Sequence, residues 1–439
     1  MIKKLTNFFT PLPDKEELVE NNKKLKRLQW SFFLSATLGY GLYYVCRMSL
    51  NVVKKPLVDN NILTEQELGY VGSALFFSYA IGKLVNGFLG DRVNITRFMA
   101  VGLIISSLIN IILGFSHSFW IFAILWGING WVQSMGAPSS VVGLSRWFTD
   151  KERGSYYGFW SASHNIGEAI TFIATAAVVS VAGWRWGFEA AGIAGLIGAA
   201  IVMIFMKDSP TSQGLPSVIP PKERGKSAGM AQKEVLLNPY IWILALSSAF
   251  MYISRYAINS WGIFFLENQK AYSSVEASSI VAVNSVCGII GTVLSGFLSD
   301  KLFKGNRVTP AVLFGILNTI AIAMFVLVPA GHHYLDILSM ILFGLSIGVL
   351  ICFLGGLMAT DIAPKKASGA ALGVVGIASY LGAGVQDILS GQFIGDSKSI
   401  SAAGVASYDF SSIQYFWIGA AALSVLFCAL LWTAKKKKE

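Results

Sequence analysis

Charge is scarce in this chain. Only 13% of its 439 residues are Asp, Glu, Lys or Arg, against 54% hydrophobic. A soluble domain carries about 25% charged residues, so that class is excluded. Cysteine is equally sparse. Cys46, Cys287, Cys352 and Cys428 all sit in apolar segments without a spaced partner, which gives neither a disulfide framework nor a metal motif. No Walker sequence, no clustered His/Cys set and no nucleophile–base constellation is present. No cofactor, no metal and no enzymatic activity are therefore expected. The N-terminus lacks the apolar core and cleavage site of a secretory signal and reads as a cytoplasmic tail.

What is abundant is long apolar runs. A stretch of about 20 apolar residues spans a bilayer as a helix. Twelve are expected, at 28–53, 66–90, 96–115, 118–145, 155–182, 186–206, 239–267, 274–299, 308–330, 333–357, 368–394 and 411–433. The fold class is an all-α polytopic membrane protein. Arg47, Lys83 and Arg255 are the cations inside spans, and Lys54, Lys55, Arg185, Lys270 and Lys398 lie in loops on the side away from the termini. The remaining Lys and Arg fall on the side of both termini, so that side is expected to be cytoplasmic. The net charge of +10 is then topology rather than a nucleic-acid surface. Segment 207–238, rich in Pro, Gly, Ser and charge, reads as a linker. It separates a half at 28–206 from a half at 239–433, flanked by tails at 1–27 and 434–439.

The halves are internal copies. GFLGDR at 87–92 recurs as GFLSDK at 296–301, and Gly82 maps onto Gly291. Tyr44-Val-Cys-Arg47 recurs as Tyr252-Ile-Ser-Arg255, and Gly154, Gly158 and Gly167 match Gly369, Gly373 and Gly382 at nearly the same spacing. Such repeats build secondary transporters with a substrate site at the midplane. Each half thus carries one arginine inside its first span. A charge there costs at least ~2.5–3.5 kcal/mol and usually faces a cavity. Pseudo-twofold symmetry would bring both guanidiniums to one cavity, where they suit a dianion such as phosphate bidentately.

The ordered set GYGLYYVCR, SYAIGKLVNGFLGDR, DKERGSYYGFWSASHNIG and LLNPYIW…YISRYAINSWG resembles the organophosphate:phosphate antiporter family of the major facilitator superfamily, over about residues 30 to 430. That family includes glycerol-3-phosphate and hexose-6-phosphate transporters and a hexose-phosphate sensor that signals to a membrane kinase. The resemblance implies a major facilitator fold of two pseudo-symmetric six-helix halves in a bacterial inner membrane. It also implies exchange of an organophosphate for inorganic phosphate by alternating access. By the same match Arg47 and Arg255 bind phosphate, Lys83 and His164 join them, and Tyr40, Tyr44, Tyr79, Tyr252, Tyr380 and Trp160 line the cavity.

Departures from the repeat mark where a substrate was fitted. Lys83 pairs with Thr292 and His164 with Ser379. Lys83 lies about 12 Å inside its helix end counted from Asp91 and shares a face with Tyr79. Glu168, one turn after His164, and Asp387 in the eleventh span lie outside the family pattern. They read as counter-ions to a basic cavity, or as proton-coupling groups through a His164–Glu168 pair. Met48 and Ala137 replace a cation and a tryptophan that several relatives carry near the cavity. Asp91, Arg92, Arg97, Asp300, Lys301 and Arg307, at the loop ends of spans, are expected to latch one conformation. Two alternatives stay open: a sensor with a kinase partner, and a proton-coupled organophosphate importer.

Overall fold

Lipid offers no hydrogen bonds, so a spanning backbone must satisfy its own by closing into helices. The computed structural model follows that rule, and describes residues 7–15, 18–90, 92–218, 228–303, 306–363, 368–402 and 406–433. Asp91, the side chain of Asp300, the middle of the linker and the basic tail 434–439 lie outside the described residues.

The first-half helices are α1 (Asn22–Asp59), α2 (Glu65–Gly90), α3 (Ile95–Gly114), α4 (Phe119–Gln133), α5 (Gly136–Trp147), α6 (Asp150–Ala182) and α7 (Trp184–Phe205). A short α8 (Ala228–Leu237) precedes α9 (Pro239–Gln269), α10 (Ser274–Phe297), α11 (Val308–Leu327), α12 (His333–Cys352), α13 (Met358–Ile362), α14 (Ser368–Asp396) and α15 (Ser411–Leu430). A two-residue antiparallel pair, Ser399–Ile400 with Ala406–Ser407, lies between α14 and α15.

Among the described residues ten helices are long and apolar enough to cross a membrane. The other two expected spans differ for physical reasons. Span 1 lies within α1, which runs on to Asp59 and so takes in Lys54 and Lys55. Span 4 is broken into α4 and α5. Pro138 stands in the first turn of α5, where its missing N–H costs nothing, and Ser134 turns its hydroxyl back to the Trp131 carbonyl at 2.7 Å.

Phe8 and Phe9 of the N-terminal tail are docked. The Asn94 N–H donates to the Phe9 carbonyl at 2.7 Å, Arg97 donates to the Phe8 carbonyl at 2.8 Å, and the Phe9 ring meets Phe98 edge-on.

The chain forms two compact units. The first comprises Met1–Leu50, Ile81–Ser116 and Leu125–Arg224; the second comprises Asn51–Ala80, His117–Ile124 and Gly225–Glu439. One crossing between them falls within segment 207–238, and the ends of α1 and α2 nearest their connecting loop belong to the second unit. In the first unit Gly167 of α6 abuts the Gly41 backbone of α1 so closely that a Cβ would overlap it. Such small-residue contacts let helices approach without a hydrophobic driving force.

Candidate functional site

In the first unit a buried amide network grips α1 on either side of Arg47. Asn110 of α3 donates to the Cys46 carbonyl at 2.8 Å, and Asn129 of α4 reaches the same oxygen at 3.3 Å. Gln133 donates to the Tyr43 carbonyl at 2.9 Å, while Tyr43 donates to the Met99 carbonyl at 2.7 Å. Ser49 donates to Asn110 Oδ1 at 2.7 Å, and Ser106 to Asn129 Oδ1 at 2.6 Å. Unsatisfied buried amides are costly, so this network fixes the rotation of α1 and hence the direction of Arg47.

Arg47 is 4% exposed, with its guanidinium carbon 5.6 Å from the Tyr44 ring centre. Tyr44 lies 5.4 Å from the His164 ring and 5.6 Å from Tyr40, which packs on Trp160 at 4.7 Å. The Gly167–Gly41 approach holds these α6 residues against α1. His164 bonds the Ser161 carbonyl through Nδ1, and Glu168, one turn further, is buried. The indole N–H of Trp160 is buried with no hydrogen-bond partner among the described residues. The structure thus brings together Arg47, Tyr40, Tyr44, Trp160 and His164. Lys83 is exposed, whereas Tyr79, four residues earlier on α2, is buried.

The second unit repeats the device with different chemistry. Asn318 of α11 donates to the Ser254 hydroxyl at 2.8 Å, immediately before Arg255. Arg255 is 4% exposed, and its guanidinium carbon lies 5.4 Å from the Tyr256 ring and 5.9 Å from Tyr252. Tyr380 stands 5.3 Å from Tyr252 and 4.4 Å from Tyr79. Arg255, Tyr252, Tyr380 and Tyr79 are therefore one cluster. The asparagines are not among the residues expected from the sequence, although Asn110 and Asn318 are spaced as Arg47 and Arg255 are.

Lys54 is the largest departure from expectation. Placed in a loop by its charge, it is instead a fully buried helical residue. Its ammonium hydrogen-bonds Ser260 Oγ at 2.9 Å, sits 3.7 Å from the Trp261 ring centre, and pairs with Asp387 at 3.8 Å. Asp387 accepts from Ser260 at 2.6 Å and from Trp261 Nε1 at 2.8 Å. The cation that Asp387 answers is thus Lys54. Nearby, in the α14–α15 connection, the Tyr408 hydroxyl donates to Glu65 at 2.6 Å. Burial, and then the Glu65 carboxylate, hold that phenol well above its usual pKa.

The loop-end charges separate. Arg307 pairs with Asp361 at 2.5 Å and donates to the Leu357 carbonyl at 3.1 Å. Arg92 is exposed, and the Lys301 ammonium lies 5.7 Å from the Phe297 ring. Arg146 pairs with Asp208 at 2.8 Å, and Asp208 also caps α3 through the Ile95 N–H at 3.0 Å.

Helices of membrane length, an internal repeat and a buried arginine in each half define a polytopic helical membrane protein of transporter architecture. The profile of the Major Facilitator Superfamily matches residues 36–386, and the chain belongs to that family. It is 35% identical over 409 residues to a probable hexose phosphate transport protein of Chlamydia pneumoniae, covering 86% of this chain and 88% of that one. It is 33% identical to the membrane sensor protein UhpC of Escherichia coli, covering 80% and 82%. To the glycerol-3-phosphate transporter of Bacillus subtilis it is 30% identical, covering 99% and 100%. A solved bacterial homolog of the lysosomal transporter Spinster, inward-facing and unoccupied, superposes with a TM-score of 0.71 at 18% identity, covering 93% and 96%.

Proposed function

We propose that this protein is a secondary transporter that exchanges an organophosphate, such as a hexose 6-phosphate or glycerol 3-phosphate, for inorganic phosphate by alternating access. The observation that carries the reading is the duplicated arginine support: Arg47 and Arg255, each buried, each one residue after a position held by an asparagine. A guanidinium presents a planar fork that matches phosphoryl oxygens. The phosphorylated substrates named for the relatives supply the substrate class.

In this reading Arg47 and Arg255 hold the phosphoryl group, and Lys83 and His164 add to its charge balance. The surrounding tyrosines and Trp160 contact the organic part. Unneutralised, the cations disfavour the change of state; a bound dianion removes that penalty. An empty carrier then crosses poorly, which couples influx to efflux. The excess of Lys and Arg on the side of the termini supports a cytoplasmic location for both.

The likeness to UhpC favours a second reading, in which the same site serves a receptor that signals to a kinase. One experiment separates the two. Liposomes loaded with phosphate and bearing the protein are given labelled phosphate, with glucose 6-phosphate, glycerol 3-phosphate and phosphoglycerate as competitors. Rapid counterflow is expected, and the strongest competitor names the substrate. Measurable binding without counterflow would replace the transporter with the receptor.

A further inference from the structure

In the second unit, residues drawn from both sequence halves close around Asp387. From the first half come Asn51, Lys54, Glu65, Gln66, Gly69 and Gly72. From the second come α9, α14 and the α14–α15 connection. Asn51 donates to the Asn259 carbonyl at 3.0 Å. Gly69 abuts the Asp387 backbone, and Gly72 leaves the space that the Asp387 carboxylate fills. Further out, Gln66 donates to Asp396 at 2.8 Å, and Glu65 pairs with Lys398 at 2.8 Å.

At the centre of this closure sits an ion pair with almost no access to water: Lys54 is 0% and Asp387 1% exposed. Its construction is lopsided. Asp387 keeps two donors, Ser260 and Trp261, that belong to its own half. Among the described residues Lys54 takes all of its polar partners, Ser260 and Asp387, and its ring contact with Trp261, from the other half. If the first-half helix ends withdrew, the carboxylate seat would survive, while the ammonium would exchange every partner for water. A buried ion pair adds little net stability compared with an apolar contact, because both charges regain hydration on separation. An apolar plug of the same volume would hold more tightly and release less readily. The pair therefore suits a contact made and broken repeatedly, between two packings of similar energy.

We infer that Lys54 is a releasable bolt, and that Asp387, Ser260 and Trp261 are its preformed socket, locking the first-half helix ends onto the second half within the second unit. For its role in a transport cycle the inference rests on the alternating-access reading, but closure is measurable without transport.

The test uses the full-length protein in nanodiscs with a reporter cysteine, Asn51→Cys, at the buried contact beside the bolt. The rate of modification by a water-soluble maleimide is read, with the reporter-free protein as background. Lys54→Met and Asp387→Asn each leave one buried charge without its counterpart, which favours the open, hydrated arrangement. Labelling should rise about tenfold or more in either. The double variant Lys54→Met/Asp387→Asn buries no charge, and its labelling should fall back towards the parent. Asp336→Asn, which removes the partner of Lys270 in a buried pair wholly inside the second half, should leave labelling unchanged.

Unchanged labelling in folded Lys54→Met or Asp387→Asn protein would overturn the inference. So would an equal rise in Asp336→Asn, which would signal general loosening. Loss of folded protein in both single variants would overturn it too, since the pair would then be a requirement of the fold. Counterflow failing while labelling behaves as stated would remove the transport reading and keep the bolt.

Discussion

Asn110 donates its side-chain amide to the Cys46 carbonyl at 2.8 Å, and Cys46 is the residue before Arg47. The counterpart Asn318 donates to Ser254, the residue before Arg255. Each first helix is thus held at the same point by the third helix of its half. Ala at Asn318 removes the bond to Ser254, and Ala at Asn110 removes the bond to Cys46 together with the one accepted from Ser49, each buried bond being worth about 1 kcal/mol. Phosphate binding should weaken about three- to tenfold, with the protein still folded. Asn129→Ala should cost less, because its bond to the same carbonyl is longer, at 3.3 Å. Binding of labelled phosphate to purified variants, beside their melting temperatures, checks the order.

Arg47→Lys and Arg255→Lys keep the charge and lose the fork. Losing one charge-assisted hydrogen bond of about 1.5–3 kcal/mol should cut phosphate counterflow by roughly ten- to a hundredfold. Near-parental exchange in either variant would remove that arginine from the site.

Trp160→Phe keeps the ring that packs on Tyr40 and removes an indole N–H that has no partner within the described residues. Folding should be unaffected. Competition by the organophosphate should weaken about threefold to tenfold, the worth of one neutral hydrogen bond, while inorganic phosphate exchange holds. Equal loss for both ligands would place the indole on the phosphoryl group instead.

Glu168 is buried one turn beyond His164. As a counter-ion it is replaceable in charge-neutral exchange, so Glu168→Gln should retain phosphate counterflow. Uptake should also respond to an imposed pH gradient as the parent does. A variant that loses gradient-driven uptake and keeps counterflow would establish Glu168 as a proton carrier.

Gly72 has no side chain, and a Cβ there would overlap the Asp387 carboxylate. Gly72→Ala should unseat the carboxylate and reproduce the faster labelling of Asn51→Cys caused by Asp387→Asn. Gly87→Ala on the same helix, where a Cβ meets nothing within 4 Å, should do neither.

Much of this architecture was legible in the residues because hydropathy and repetition are local signals. Arg47 and Arg255 announced themselves as charges in apolar runs, and GFLGDR with GFLSDK tied the halves together. Lys54 was misplaced by the same logic. Beside Lys55 and Pro56 it looks like a loop, and its compensation, Asp387, stands on a helix far along the chain. No periodicity links two side chains that meet only in the folded molecule. The break between α4 and α5 was similarly masked, since Pro138 lies in an otherwise continuous apolar run. Asn110 and Asn318 occupy matching places in the repeat, but an uncharged asparagine does not stand out within an apolar span as an arginine does.

The burial of Lys54 also bears on how the chain is made. Synthesis delivers the N-terminal helices first, yet the carboxylate that makes Lys54 tolerable in the interior belongs to α14, the last long helix but one. Until α14 arrives, burying this ammonium without its counter-charge would cost several kcal/mol, so the far end of α1 has to wait in water with its last turns unseated. The first helix to leave the ribosome is the last to be completed. Chains that stop short of Asp387 would carry a frayed, protease-accessible tip between Asn51 and Asp59, and its disappearance would time the moment at which the protein becomes whole.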